Sequence, residues 1–256
     1  MTDTASSNKL NGRVAVITGA SRGLGRAMAI ALAGAGAKLA LVSRDPVQLE
    51  ETAAAVRKAG AEAQIFPTDV VDEAQVLQLE RDVIARFGSV HILINNAGIN
   101  VRKTVPEFTL DEWRSVIDTN LTSAFLLCRS FVPHMKGAGY GRIINMTSIM
   151  SHISMPARAA YSASKAGLLG FTRALALELA AEAITCVAIS PGPFATEMNM
   201  PILNDPEKNA QFVSKIPMGR WGRVEEIGQL ALFLCSDEAA FITGTDILID
   251  GGWCAQ

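Results

Sequence analysis

The sequence predicts a doubly wound α/β fold, a single domain with one seven-stranded parallel sheet and helices on both faces. Two observations predict it. Short apolar runs alternate with longer helical segments, and each run is continuous rather than alternating, as strands buried on both faces require. The chain also carries 21 glycines and only 6% aromatic residues, a composition suited to close helix–sheet packing and tight turns.

The first strand, Val14–Thr18, runs straight into a glycine turn and a helix over 24–33. A strand over 38–42 precedes a helix over 47–59, and a strand over 63–66 precedes the helix Glu73–Phe87. The fourth strand, 92–94, leads to one long helical stretch over 110–135, with Asp111 as its cap or first-turn acid. Strand 142–146 is followed by a helix over 157–181. Strand 184–189 is followed by an irregular region and the helix Val224–Cys235, and Asp246–Ile249 closes the sheet. Strand–helix alternation of this kind gives right-handed crossovers in an open sheet. Residues 191–223 hold Pro191, Pro193, Pro201, Pro206 and Pro217 and are long for a connection inside a compact domain, which marks them as a substrate lid. The organisation is a polar, flexible tail over 1–11 and one domain over 12–256.

The 256 residues are 49% hydrophobic, enough for one sizeable core, and the formal net charge of -2 sets up no field for nucleic acid or an anionic membrane. A small-molecule partner is expected. No apolar run approaches the roughly 18 residues a bilayer span needs, and the first residues lack a hydrophobic signal core, so the expected location is cytoplasmic. Cys128, Cys186, Cys235 and Cys254 are scattered, with neither CxxC nor a histidine pair, and imply no metal site and no disulfide framework.

The first strand enters Thr18-Gly19-Ala20-Ser21-Arg22-Gly23-Leu24-Gly25 and then a helix. Glycines there let the backbone bend sharply and let amides approach a pyrophosphate at a helix N-terminus. The second strand ends at Ser43-Arg44, near the spacing at which an acid would bind an adenosine ribose 2′-hydroxyl, and that acid is missing. Arg44, with Arg22 and the Ser43 hydroxyl, suits a 2′-phosphate. NADP(H) is therefore favoured and NAD(H) remains possible: the other reading leaves Arg44 solvated and rotates Asp45 onto the ribose. Asp69 and Val70, just past the third strand, are placed for the adenine, or Asp69 merely begins a turn.

Tyr161 and Lys165 stand four apart in a helical segment and share a face. An ammonium roughly 5 Å from a phenol, at an effective dielectric of 20, supplies about 3 kcal/mol, on the order of two pK units. That brings a tyrosine toward neutrality, where it exchanges protons. Upstream, the fifth strand ends in Met146-Thr147-Ser148, which leaves the Ser148 hydroxyl at the carboxyl edge of the sheet, where ligands bind. The fourth strand ends in Asn95-Asn96-Ala97-Gly98, and Asn120 lies mid-helix, a position unfavourable to Asn without a partner. Asn95 and Asn120 are either site residues or amides tying strand to helix.

Together these residues resemble the short-chain dehydrogenase/reductase family, and the resemblance runs from about Asn11 to Trp253. It rests on the 18–25 turn, Asp69, Asn95-Asn96-Ala97-Gly98, Asn120, Ser148, Tyr161 with Lys165, Pro191-Gly192 with Thr196, and Asp250-Gly251-Gly252. It implies a Rossmann-type fold and reversible hydride transfer between a nicotinamide and a secondary alcohol or ketone, with no metal in the chemistry. In that pattern Tyr161 is the general acid/base and Ser148 polarises the carbonyl. Lys165 lowers the tyrosine pKa and holds the nicotinamide ribose, Asn120 orders a relay water, and Thr196 contacts the carboxamide. Val187 stands where the family often carries an Asn.

The segments 96–103, 194–199 and 217–222 resemble those of gluconate 5-dehydrogenases and related sugar-acid or polyol oxidoreductases. Arg102, His152 and Arg158 follow sheet-edge segments; they either wall the substrate pocket, where a guanidinium suits a carboxylate, or are surface charges. A 3-oxoacyl-carrier-protein reductase fits most of the chain too, although Gly139 and Glu182 stand where such reductases dock an acidic carrier through basic residues. A non-catalytic dinucleotide sensor would need none of Ser148, Tyr161 and Lys165. Similar proteins are commonly homotetramers, and the apolar helices over 110–135 and 157–181 make association plausible.

Overall fold

Every residue of strand β1, Val14–Thr18, is buried, and its side chains divide by parity: Ala15 and Ile17 enter one core, Val16 the other. That is the pattern of a strand covered on both faces. The structure is a computed structural model and describes residues 8–256, the side chain of Met198 excepted.

The other strands are β2 Lys38–Ser43, β3 Ala63–Pro67, β4 Ile92–Asn95, β5 Gly141–Met146, β6 Ile184–Pro191 and β7 Asp246–Ile249. All pair in parallel, in the order β3-β2-β1-β4-β5-β6-β7. The order reverses between β1 and β4, and at such a point the crevice outside the strand ends receives ligands. Helices α1 Gly23–Gly34, α2 Pro46–Lys58 and α9 Val224–Cys235 cover one face through Met28, Leu32, Leu49, Val56 and Ile227. On the other face α3 Glu73–Phe87, α5 Ser123–Met135 and α6 Ala159–Leu179 contribute Leu79, Val83, Leu127, Phe131 and Leu175. Nine-tenths or more of each of Cys128, Cys186 and Cys235 is buried, and burial raises Cys128 and Cys235 to about 12, which makes these thiols inert.

Two expectations need correction. The stretch over 110–135 is two helices, α4 Leu110–Ile117 and α5, joined by the π-turn Asp118–Thr122 in which Ser123 N donates to Asp118 O. Its cap is Thr109, whose Oγ accepts from Glu112 N while Glu112 reaches back to Thr109 N; of the two readings of Asp111, the first-turn acid holds. Of the tail expected over 1–11, residues 1–7 lie outside the described residues. Residues 8–11 form a turn in which Leu10 is buried and donates to Ala35 O, so they belong to the domain.

The proline-rich region is built as structure, with short helices α7 Met200–Leu203 and α8 Pro206–Val213. Phe212 of α8 stacks on Trp221 at 4.7 Å and packs on Trp253 at 5.2 Å, and Trp221 Nε1 donates to Asn209 Oδ1. No helix among the described residues is long and apolar enough to cross a membrane.

Candidate active site

The carboxyl ends of the strands open into a cavity of about 1160 Å³ that reaches from β2 past β1 and β4 to the β6 end. Its first end is the glycine turn. Gly19 and Gly23 hold φ of +61° and +54°, a left-handed backbone that side chains resist. Arg22 precedes α1 without capping it, and the first turn of α1 contains no acid. Helices α2 and α3, by contrast, are capped by Asp45 and Asp72. The first amides of α1 are thus left to the cavity, which Ser21, Gly23 and Leu24 line, and this polarity and these donors fit a pyrophosphate. Gly25 lies behind the lining, packed so closely on Gly19 O that a Cβ would collide.

Asn96 braces this turn from β4. Its Nδ2 donates to Thr18 O and Gly19 O at 2.9 and 3.1 Å, while Thr18 Oγ1 accepts from Asn96 N and Ala97 N. Asn96, Ala97 and Gly98 all line the cavity. Asn95 points the other way: its buried amide donates to Asn145 Oδ1 and Cys128 Sγ, a tie between strand and helix.

Where the adenosine ribose would lie, Ser43 and Arg44 line the cavity, and Arg44 has no carboxylate within 4.0 Å among the described residues. Asp45 Oδ1 accepts from Val47 N and Gln48 N, which commits this carboxylate to capping α2. Arg22 is paired across the cleft, its Nη1 2.5 Å from Glu197 Oε2. Asp69 and Val70 line the wall past β3, where Asp69 Oδ1 accepts from Val71 N.

At the other end Ser148, Tyr161 and Lys165 converge. Ser148 caps the short turn Ile149–Ser151, its Oγ accepting from Met150 N at 3.1 Å. Lys165 Nζ donates to Met146 O at 2.6 Å, and burial pushes it down to about 8. Tyr161 is raised above the ordinary phenol value by burial, and the groups that draw it back are the Ser148 hydroxyl and the Arg158 guanidinium. Lys165 also lies near the phenol, its Nζ 5.7 Å from the centre of the Tyr161 ring, and at about 8 it keeps its proton at neutral pH. Gly98 lies against both Asn120 and Lys165, with a notional Cβ 3.2 Å from Asn120 Oδ1 and 3.5 Å from Lys165 Nζ. Asn120 itself is behind the lining; its Oδ1 accepts from Ile99 N, and its Nδ2 donates to Ile99 O and Ser164 Oγ.

Pro191, Gly192 and Thr196 form the β6 wall, where Gly192 N donates to Ile249 O. Val187 is packed in the core, so the departure from the family pattern falls on packing. Arg102 and Arg158 both line the substrate end, and neither has a carboxylate within 4.0 Å among the described residues. Burial, then the like charge of Arg102, lowers the Arg158 pKa. The preceding Ala157 holds φ of +60°, a strained conformation at the point where the chain turns Arg158 into the cavity. His152 does not line the cavity: its imidazole pairs with the Asp246 carboxylate. Sequence reasoning missed Asn100, whose buried Oδ1 has no partner among the described residues, and the walls Met150, Met155 and Phe212. The signal for Asn100 is its place in the segment 96–103, two residues past Gly98.

A dinucleotide-shaped cleft at the switch point, ending in a Ser, Tyr and Lys group, defines a nicotinamide-dependent oxidoreductase. The chain belongs to the short-chain dehydrogenase/reductase family. The family profile described as Enoyl-(Acyl carrier protein) reductase matches residues 19–254. The chain is 41% identical over 242 residues to the acetoacetyl-CoA reductase of Shinella zoogloeoides, covering 94% of this chain and 98% of that one. It is 37% identical over 242 residues to the 3-oxoacyl-acyl-carrier-protein reductase FabG of Escherichia coli K12, covering 94% and 97%. A crystal structure from Beutenbergia cavernae, provisionally assigned as an NAD(P)-dependent gluconate 5-dehydrogenase and holding NADP at low occupancy, superposes with a TM-score of 0.90 at 37% identity. It covers 96% of this chain and 98% of that one.

Proposed function

We propose that the protein uses NADP(H) to interconvert a ketone and a secondary alcohol on a small anionic substrate, a sugar acid such as 5-ketogluconate and gluconate. The observation that carries the substrate class is the pair Arg102 and Arg158, two guanidiniums lining the cavity, Arg158 beside Tyr161, with no carboxylate partner among the described residues. Like charges held together in a cleft favour an anion between them. Asn100 Oδ1, unpartnered among the described residues, adds an acceptor for a substrate hydroxyl. Arg44, without an acid partner among the described residues, and Asp45, committed to its cap, support NADP(H) over NAD(H), as does the NADP-bound relative.

When bound, the nicotinamide supplies the hydride in reduction and leaves oxidised. The Ser148 hydroxyl donates to the substrate carbonyl oxygen, and Tyr161 gives that oxygen its proton, so C=O becomes CH–OH. Lys165, near 8, is able to return a proton to the phenolate through water at Asn120, whose Oδ1 keeps one lone pair. The same reading includes a homotetramer, supported by exposed Leu110, Trp113, Phe125 and Leu177 on α4, α5 and α6.

A second reading, reduction of a 3-oxoacyl thioester, is favoured by the names of the two reductases above. Against an acidic carrier stands Glu182, an acid paired with Lys136 at 3.7 Å. A screen of NADPH and NADH oxidation with keto sugar acids, simple ketones and acetoacetyl thioesters decides between them. Turnover confined to thioesters would sink the sugar-acid reading.

A further inference from the structure

Asp246, the first residue of β7, is a carboxylate that the chemistry above does not use, and its side chain is only 6% exposed. Three partners surround it. Ser190 Oγ lies 2.8 Å from Oδ2, Thr147 Oγ1 lies 3.3 Å from Oδ1, and the His152 Nε2 pairs with Oδ2. The two hydroxyls have other acceptors as well: Ser190 Oγ is 3.0 Å from the Ser148 carbonyl oxygen, and Thr147 Oγ1 is 2.7 Å from Ile189 O. The hydroxyls also touch each other at 2.8 Å.

Each hydroxyl has one proton, so these acceptors compete. A buried carboxylate without donors is costly, and left alone it would claim the Ser190 and Thr147 protons. An N–H from His152 satisfies Asp246 and leaves the Ser190 proton for the carbonyl of Ser148. The geometry closes a ring: Ser148 begins the turn Ile149–Ser151 and His152 ends it, and both ends are tied to Asp246, one through Ser190 and one directly. We propose that His152 and Asp246 are positioning residues that clamp this turn and thereby fix the Ser148 hydroxyl toward the substrate oxygen. The inference rests on the reading in which Ser148 polarises the carbonyl.

The test compares His152→Ala, His152→Gln and Asp246→Asn with Ser148→Ala. NADPH oxidation is followed with 5-ketogluconate or acetoacetyl-CoA, whichever the unmodified protein reduces, and NADPH affinity and Tm are measured on the same samples. A side chain 32% exposed tolerates truncation, so His152→Ala should fold. It should lose about 10- to 100-fold in kcat with KM and NADPH affinity little changed, since slight misplacement of a reacting group costs on that order. His152→Gln, which keeps an amide donor at the Nε2 position, should recover most of the rate; Asp246→Asn should fall with His152→Ala. A purely structural pair would instead lower Tm and leave kcat per folded molecule unchanged, which overturns the proposal, as does equal loss in the Ala and Gln variants. If Ser148→Ala keeps its rate, the underlying reading falls and takes the proposal with it; if only Ser148→Ala collapses, the clamp alone is refuted.

Discussion

Lys165 Nζ donates to the Met146 carbonyl oxygen at 2.6 Å while lying 5.7 Å from the centre of the Tyr161 ring. Burial lowers it from 10.5 to about 8, so between these values the unfolded chain holds the proton and the folded one does not. Stability from this group therefore rises as pH climbs through that window, and below it the cost of burying the charge is felt in full. At pH 7, Lys165→Met should raise the unfolding free energy by roughly 1 to 3 kcal/mol. Turnover should fall by at least about 100-fold. Denaturant unfolding and NADPH oxidation on one sample check both.

Burial raises the proton affinity of Tyr161, and the Ser148 hydroxyl and then the Arg158 guanidinium draw it back. A cation near a phenol favours the phenolate, so its removal makes the proton harder to lose. Arg158→Met should move the acidic limb of alcohol oxidation, where Tyr161 takes up its proton, to higher pH, and Arg158→Lys should restore it in part. The pH profile of kcat for oxidation is the measurement; an unmoved limb would remove Arg158 from the account.

The Arg22–Glu197 pair joins the phosphate turn to the roof of the cleft, and both side chains are mostly exposed. Such a pair is worth less than about 1 kcal/mol, so Glu197→Gln should lower KM for NADPH by at most about fivefold. KM for NADH should stay the same. Equal changes for both cofactors would mean the pair does not compete with a 2′-phosphate.

Arg44 carries the cofactor choice. Arg44→Asp puts a carboxylate where the 2′-phosphate would bind, and KM for NADPH should rise about 10- to 100-fold while that for NADH falls. Steady-state kinetics with each cofactor measure it.

All seven strands lie where continuous apolar runs place them, because burial on both faces writes itself into composition. The cavity residues at strand ends were legible for a related reason: Ser148, Asn96 and Gly98 follow their strands directly. What escaped depends on three-dimensional competition between partners. Nothing in the order of residues says that His152 turns to Asp246, 94 positions away, or that Glu197 claims Arg22. The π-turn at Asn120 is hidden inside an uninterrupted helical pattern, and spacing does not reveal the burial that pushes Lys165 down to about 8.

The most direct test compares 5-ketogluconate with L-sorbose, the same carbon chain with a hydroxymethyl group in place of the carboxylate, in the unmodified protein and in Arg102→Met and Arg158→Met. Each charge-assisted contact supplies about 1.5 to 3 kcal/mol, so kcat/KM with NADPH should favour 5-ketogluconate by about 10- to 100-fold or more. That preference should shrink toward unity in either variant. Equal kcat/KM for the two ketones, or a preference untouched by both substitutions, would contradict an anion-selective oxidoreductase.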